Sequence, residues 1–495
     1  MSMALSRHQE EEEALSSGVL GSSHDIERLA DFLLPRLPAP PRRLLVVGVE
    51  SASLDARLAG HGYQVRHLAV FGEEPLTAEP YDAMLLLPDA VDGHDPLPLL
   101  AAAQEGLVAV GELLLLGAFR TPTGAGGEED QGVRDFIALA ERFGFIPRQR
   151  LDRPEALTAN HGMPCFLHLQ REEGAGWCLR SMAPSHQEEM RALFAKVFGH
   201  QLSPELWRWK YDEGRGCGIG AWRQGHLLAH FGGLVRMIRM GGRQWEGVQI
   251  VDVMADAKGR EGVSRKGAFF HAAATFFERF VGVGKRFLFG YGFPNFRHMR
   301  VGEQLGLYEK VDRISEVRWP AMPARFSLRT KLRAIDPGCD DPSIARKIDA
   351  LWAAMANDLS RSVVGVRDWP YIRQRFLRHP SFEYQVILAS RRFGGSPVGL
   401  LVTRRDGEEL LLLDVVAPMA NLPELLHHAR RLAARLGLAC LRAWITSSHA
   451  APFQATGGEC RETDIFITNC CWCPGLPPEE LRDRWWLTAG DTEFQ

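Results

Sequence analysis

Long hydrophobic runs are missing from this chain of 495 residues. No stretch reaches the roughly 18 apolar residues of a membrane-crossing helix, and no basic start leads into an apolar run. A cytoplasmic, reducing home is the expectation, with no membrane partner. Charge of one sign is also scarce. The 58 Lys and Arg against 61 Asp and Glu leave a formal charge of -3, so the composition holds no excess of basic residues for nucleic acid. Cysteine is thinly spread, and among the nine only Cys470, Cys471 and Cys473 cluster. That cluster lacks a second pair and a histidine at finger spacing, so no zinc site is expected. His427 and His428 are adjacent on a helical stretch and cannot share one metal from a straight helix face. There is no Gly-x-Ser-x-Gly elbow and no Cys–His set at recognisable spacing, which disfavours a covalent nucleophile. The glycine-rich stretch from Thr121 to Gly127 has no Lys-Ser ending, so it is not a nucleotide-binding P-loop.

What is present divides into several domains, because a chain this long exceeds one ordinary core. Residues 1–23 are polar, carry the acidic run Glu10 to Glu13, and are expected to form a flexible leader. From 24 to 180 short apolar strands alternate with helices. Leu44 to Val49, Tyr63 to Ala69, Tyr81 to Pro88 and Val108 to Leu116 are strands, and Gln131 to Phe143 is a helix ended by Gly144-Phe145. Residues 158–179 add an edge strand. This rhythm predicts an open α/β sheet.

The first domain resembles a class I S-adenosylmethionine-dependent methyltransferase core. Leu45-Val46-Val47-Gly48, Tyr81-Asp82-Ala83, Glu105 to Leu113 and Gly144-Phe145 carry the likeness. The turn Gly48-Val49-Glu50-Ser51 has one glycine where that family has several, and His67 stands near the expected ribose-binding carboxylate. The resemblance therefore implies a degenerate domain that acts as a scaffold or binds a protein partner.

Residues 184–325 hold the stretch around which the chain is organised. Val248 to Met254 is a strand, residues 258–267 a basic, glycine-bearing loop, and Ala268 to Phe280 a helix. Arg286 to Gly290 follows as a strand leading into Gly292-Phe293-Pro294-Asn295. Strand, loop, helix and strand in this order make an anion site where the loop feeds N–H groups into the helix start. Gly259, Gly262 and Gly267 allow close approach, and Arg260, Arg265 and Lys266 are candidate donors to phosphate, with a solvated charged loop as the alternative. Phe269, Phe270, Phe276 and Phe277 read as core.

This stretch resembles the GNAT superfamily of acyl-CoA-dependent N-acyltransferases. The resemblance implies acetyl-CoA or another acyl-CoA, held by the loop and by the backbone at Val253 and Met254. Asn295 is either a contact to the pantetheine arm or a helix cap. The family's usual tyrosine, seven residues further on, is replaced by Gly302. Tyr291 is the nearer substitute, and Tyr308 is expected to face elsewhere. Asp252, Glu246 and Glu303 are the acidic candidates for accepting the amine proton, Asp252 foremost because it interrupts an apolar strand. Trp207, Trp209 and Trp245 either line an acceptor pocket or pack in the core.

Residues 326–495 repeat the order at low identity and resemble a second, degenerate GNAT-like copy. Asp368-Trp369-Pro370-Tyr371 restarts the pattern of Trp207 to Tyr211, but Ala417-Pro418-Met419-Ala420-Asn421 stands in place of a glycine-rich basic loop. The segment Trp485 to Phe494 resembles the ends of tandem transferases and otherwise reads as a docked apolar tail. The expected fold class is α/β and α+β: an open parallel-sheet domain followed by two GNAT-like mixed-sheet domains. The expected function is transfer of an acetyl or other acyl group to a small-molecule or peptide amine. The rivals are a non-catalytic scaffold or regulatory protein, and an aminoacyltransferase using charged tRNA.

Overall fold

The computed structural model describes residues 23–40, 42–69, 79–119, 129–152, 154, 165–174, 176–257, 264–323 and 329–492. The expected leader over 1–23 lies outside them except for Ser23, which begins a helix, and so does the stretch from Thr121 to Gly127. The architecture is mixed α/β, and the chain forms two compact units: residues 1–181 with 221–226, and residues 182–220 with 227–495.

The first unit opens with α1 (Ser23–Leu33) and continues through β1 (Arg42–Val47), α2 (Ala52–Gly60), β2 (Tyr63–Leu68) and β3 (Tyr81–Leu86). Then come α3 (Pro96–Gly106), β4 (Leu107–Gly117), α4 (Glu129–Arg142), β5 (Phe145–Asp152), β6 (Cys165–Arg171) and β7 (Cys178–Ser181). Its sheet has the order β2-β1-β3-β4-β6-β5. Strands β1 to β4 are parallel, and β6 is antiparallel to both β4 and β5. Leu44 to Val47 are buried without alternation, as strands covered on both faces require. Ser51 caps α2 by accepting from Leu54 N at 3.3 Å. One expectation needs correction. The edge strand is β5, and the strand found inside 158–179 lies within the sheet. Strand β6 pairs with β4 on one side and β5 on the other, and its Phe166, Leu167 and Leu169 are wholly buried.

The second unit begins with α5 (Gln187–Phe198) and α6 (Pro204–Tyr211), the latter capped by Ser203 with proline at its first position. Three antiparallel strands follow: β8 (Gly216–Arg223), β9 (His226–Met240) and β10 (Arg243–Ala255). Next come α7 (Ala268–Phe280), β11 (Gly290–Tyr291), α8 (Phe296–Leu305) and β12 (Tyr308–Pro320). The expected strand from Arg286 is shorter than foreseen: only Gly290 and Tyr291 pair with β10, while Phe287 bridges to Val281. The second half contains β13 (Thr330–Ala334), α9 (Pro342–Asp358), β14 (Val363–Gly365), α10 (Trp369–Ile372), β15 (Gln385–Arg391) and β16 (Pro397–Asp406). It ends with β17 (Glu409–Val416), α11 (Leu422–Arg435), β18 (Cys440–Thr446), β19 (Glu459–Cys470) and β20 (Trp485–Trp486).

Two sheets organise this unit. One runs β11-β10-β9-β14-β20, with β8 also on β9; the other runs β13-β15-β16-β17-β18-β12-β19. Strand β12 thus pairs with β18 and β19, and β14 and β20 join the sheet of β9. A continuous core with Trp319, Trp485 and Trp486 buried packs residues of both sheets together. Among the described residues no helix is long and apolar enough to cross a membrane.

Candidate functional site

Strands β10 and β11 run parallel but stay together only briefly. Val248 pairs with Gly290 and Gln249 with Tyr291, and β10 then continues alone on that side to Ala255. On its other side the register with β9 slips by one residue, between Val251 opposite Gly232 and Met254 opposite His230. The bulge carries Asp252 in the left-handed region, at φ +49°. Bulges of this kind re-aim side chains beside functional sites.

Asp252 is aimed at helix α6. Lys210 Nζ donates to its two oxygens at 2.9 and 3.2 Å, and the Tyr211 hydroxyl donates at 2.7 Å. Both ends of the Lys210–Asp252 pair are nearly buried. Burial opposes the ionised carboxylate, but Lys210 and Tyr211 outweigh it and hold Asp252 below the usual range. His230 Nδ1 donates to the Asp252 carbonyl at 2.7 Å, which fixes its tautomer. Its Nε2 is buried without a hydrogen-bond partner among the described residues, and burial keeps the ring neutral. Asp252 is therefore an ionised anchor surrounded by donors, a poor setting for a proton acceptor.

The two faces of this sheet differ. A Cβ on Gly233 would lie 2.8 Å from Phe276 of α7, so odd-numbered positions there face that helix. A Cβ on Gly232 would lie 2.9 Å from the Tyr211 hydroxyl, on the opposite face. Helix α7 starts at Gly267, which has no side chain to cap the first-turn N–H groups. Lys266 is exposed, and its backbone N–H donates to Ser264 Oγ at 3.1 Å. Arg265 Nη2 donates to the Leu305 carbonyl at 3.2 Å, and its guanidinium lies 5.5 Å from the Trp472 ring. Gly259, Arg260 and Gly262 lie outside the described residues.

The other candidates scatter. Val253 is half-buried and Met254 buried just past the bulge. Glu246 is 44% exposed and sits 3.4 Å from Arg286 Nε at the surface. Asn295 Oδ1 caps α8 by accepting from His298 N at 3.1 Å. Tyr308 does not face elsewhere. A Cβ on Gly302 would fall 2.0 Å from its ring, so the ring occupies the place of the missing side chain, and its hydroxyl donates to the His298 carbonyl at 2.9 Å.

Tyr291 is 1% exposed, and its ring lies against Trp485 with centroids 4.6 Å apart. It lines a cavity of about 260 Å³ on the face away from α7. Trp209, Arg236, Tyr371, Arg375 and Asp491 also line it. Of the three tryptophans singled out, only Trp209 reaches this wall; Trp207 is buried beside Met190, and Trp245 packs against the core.

The second half of the unit repeats this geometry and closes it. Strand β17 pairs with β18 from Glu409 to Leu412, slips by one residue against β16 between Leu412 and Asp414, and separates. Asp414 there takes both bonds of Arg367 Nε, at 3.0 and 2.9 Å, as Asp252 takes Lys210. Residues 487–491 fill the separation: Thr446 N donates to Leu487 O, and a Cβ on Gly490 would lie 3.1 Å from Leu413 O. Arg367 Nη2 also donates to Asp491 Oδ2 at 2.6 Å, making a fully buried group of one cation and two carboxylates. Burial lifts Asp414 to about 6, against the pull of Arg367. No group of His, Cys, Asp and Glu that could hold a metal occurs among the described residues.

No family model matches the chain, and no curated protein does. Solved structures share part of it. The chain is similar to a conserved protein of unknown function from Enterococcus faecalis V583, a probable N-acyltransferase, at 11% identity over 59% of this chain and 71% of that one, with TM-score 0.47. It is similar to a GCN5-related N-acetyltransferase from Kribbella flavida at 16% identity over the same shares, with TM-score 0.43. The Saccharomyces cerevisiae N-myristoyltransferase with bound myristoyl-CoA matches at 9% identity over 62% of this chain and 87% of that one, with TM-score 0.40. Likenesses at these scores carry no argument about activity.

Sequence reasoning missed Lys210 and Tyr211 as partners of Asp252, and gave Arg367, Tyr371 and Asp414 no role in a site. Their signal was the repeated aromatic–basic cluster, Trp207 to Tyr211 and Arg367 to Tyr371, each paired with an acidic residue late in an apolar strand.

Proposed function

We propose that the chain is an acyl-CoA-dependent N-acyltransferase acting on an amine. The observation that carries this reading is the separation of β10 from β11 at the Asp252 bulge, just ahead of the uncapped start of α7. N–H groups at the start of a helix attract phosphate. On this reading the first-turn N–H groups after Gly267 hold the pyrophosphate, with Lys266 and Arg265 beside them. The main chain at Val253 and Met254, freed from β11, orients the acyl carbonyl. Acyl-CoA supplies the thioester carbon for the amine to attack and a thiolate to leave. Burial keeps the Tyr291 phenol protonated, which suits a proton donor better than an acceptor. Asp252 anchors the bulge through Lys210 and does not take the amine proton.

The second separation, between β17 and β18, is filled by the chain itself, so the reading assigns one acyl-CoA site per chain. For the first unit we propose a degenerate methyltransferase-like scaffold without a nucleoside site. His67 Nε2 donates to the Gly48 carbonyl at 2.9 Å, and a Cβ on Gly48 would lie 2.6 Å from Asp89 Oδ1. The chain's own groups thus crowd the end of β1, where such a ligand would approach.

The test is release of free thiol from acetyl-CoA in the presence of a panel of small amines and peptides. Amine-dependent release above hydrolysis supports transfer. No release with acetyl-CoA or longer acyl-CoAs counts against it.

A further inference from the structure

We propose that the cavity behind β9 is the acceptor site, and that it takes a compact cationic amine held by Asp491 and the phenols of Tyr371 and Tyr291. This rests on the acyl-transfer reading for its place in a reaction, but not for its physical argument.

Size comes first. About 260 Å³ is below the range of drug-sized pockets. Such a space suits a small molecule.

Polarity comes next. The cations on the wall already donate to the protein. Lys210 binds Asp252, Arg215 binds the Trp209 and Arg208 carbonyls, and Arg236 binds Gln249 Oε1. Arg375 gives its three nitrogens to the Gly490 carbonyl, the Tyr384 hydroxyl and the Thr492 carbonyl. The acceptors are less committed. Asp491 Oδ2 takes Arg367 and the Thr488 N–H, whereas nothing among the described residues donates to Oδ1. The Tyr371 hydroxyl is buried with no partner among the described residues, although a buried polar atom is ordinarily bonded. Burial holds both phenols above their ordinary range; the Asp491 charge adds to this and the Arg236 charge opposes it. A carboxylate oxygen, two phenols and the Trp209 ring make a wall that a protonated amine satisfies through charge-assisted bonds and ring faces.

Calorimetric titration of the full chain tests this without acyl-CoA. The probes are 2-phenylethylamine, 2-phenylethanol and 3-phenylpropanoate at pH 7, where the amine is protonated. The amine is expected to bind saturably, the alcohol about tenfold more weakly, and the carboxylate not at all. Asp491→Asn should weaken the amine by about tenfold. Tyr371→Phe, which removes one oxygen and leaves the Arg367 group intact, should weaken it by about threefold. Amine binding no tighter than that of the alcohol or carboxylate, no binding by any probe, or a Tyr371→Phe variant that binds like the parent overturns the proposal. A separate acetyl-CoA titration keeps the two readings apart. Amine binding without acetyl-CoA binding sinks the transferase and spares this site, and the reverse sinks this site alone.

Discussion

Lys210 and Asp252 meet at 2.9 Å across the strand bulge, one from the last turn of α6 and one from a left-handed position in β10. The pair fixes where β10 leaves β11. Removing one member strands the other charge out of water. Lys210→Met should therefore cost about 3 to 5 kcal/mol, read as a lower urea midpoint. A loss under about 1 kcal/mol would mean that the pair is not holding the bulge.

Gly302 is small because Tyr308 needs the space. Gly302→Ala places a methyl 2.0 Å from that ring and should cost about 1 to 3 kcal/mol. The double variant with Tyr308→Ala should recover part of that loss, and thermal melts of the set measure the coupling. Strictly additive losses would show that the two positions do not compete.

Asn295 caps α8 by accepting from His298 N. Asn295→Ala should lower stability by about 1 kcal/mol, and Asn295→Ser should restore most of it. Because the cap occupies its oxygen, acyl-CoA affinity should stay within about twofold of the parent. A selective loss of affinity with stability unchanged would assign the side chain to the ligand instead.

Asp414 gives the fold a pH signature. Burial lifts its carboxyl to about 6, above its ordinary value of about 3.9. Between those values the folded state holds more protons than the unfolded one. This group therefore adds stability at low pH, and that stability is lost as pH rises through about 6. Asp252, held below the usual range, acts in the opposite sense, losing its contribution only as pH falls below about 4. Between about pH 4 and 7 buried His230 and half-buried His379, held below their ordinary value, add stability as pH rises and oppose Asp414. The test is therefore the difference: the urea midpoint of Asp414→Asn should gain on that of the parent as pH rises through about 6. An unchanged difference would contradict the assignment.

Much of the fold was legible because the apolar strands and capped helices are local signals. Val248 to Met254, the Ser203-Pro204 start and Leu422 to Leu436 sit close to β10, α6 and α11. The exchange of strands was not legible. Pairing of β12 with β18, and of β20 with β14, depends on partners more than a hundred residues away, which no window along the chain reports. The site was half legible. Asp252 stood out as a charge in an apolar strand, but its role turned on Lys210 and on a bulge that only the register reveals. Tyr308 was placed by a straight-helix argument, whereas Gly306 (φ +72°) ends α8 and turns the chain back over Gly302. The cavity drew Asp491 from a segment that resembles the ends of tandem transferases and otherwise reads as a docked apolar tail.

The central claim is that the separation of β10 and β11 beside the start of α7 holds acyl-CoA. Calorimetric titration of the full chain with acetyl-CoA, CoA and a longer acyl-CoA tests it most directly, with the Arg265→Glu/Lys266→Glu variant alongside. The account predicts one site per chain at micromolar affinity, weakened at least about tenfold by the charge reversal. No saturable binding of any of the three, or equal binding by the variant, would contradict it.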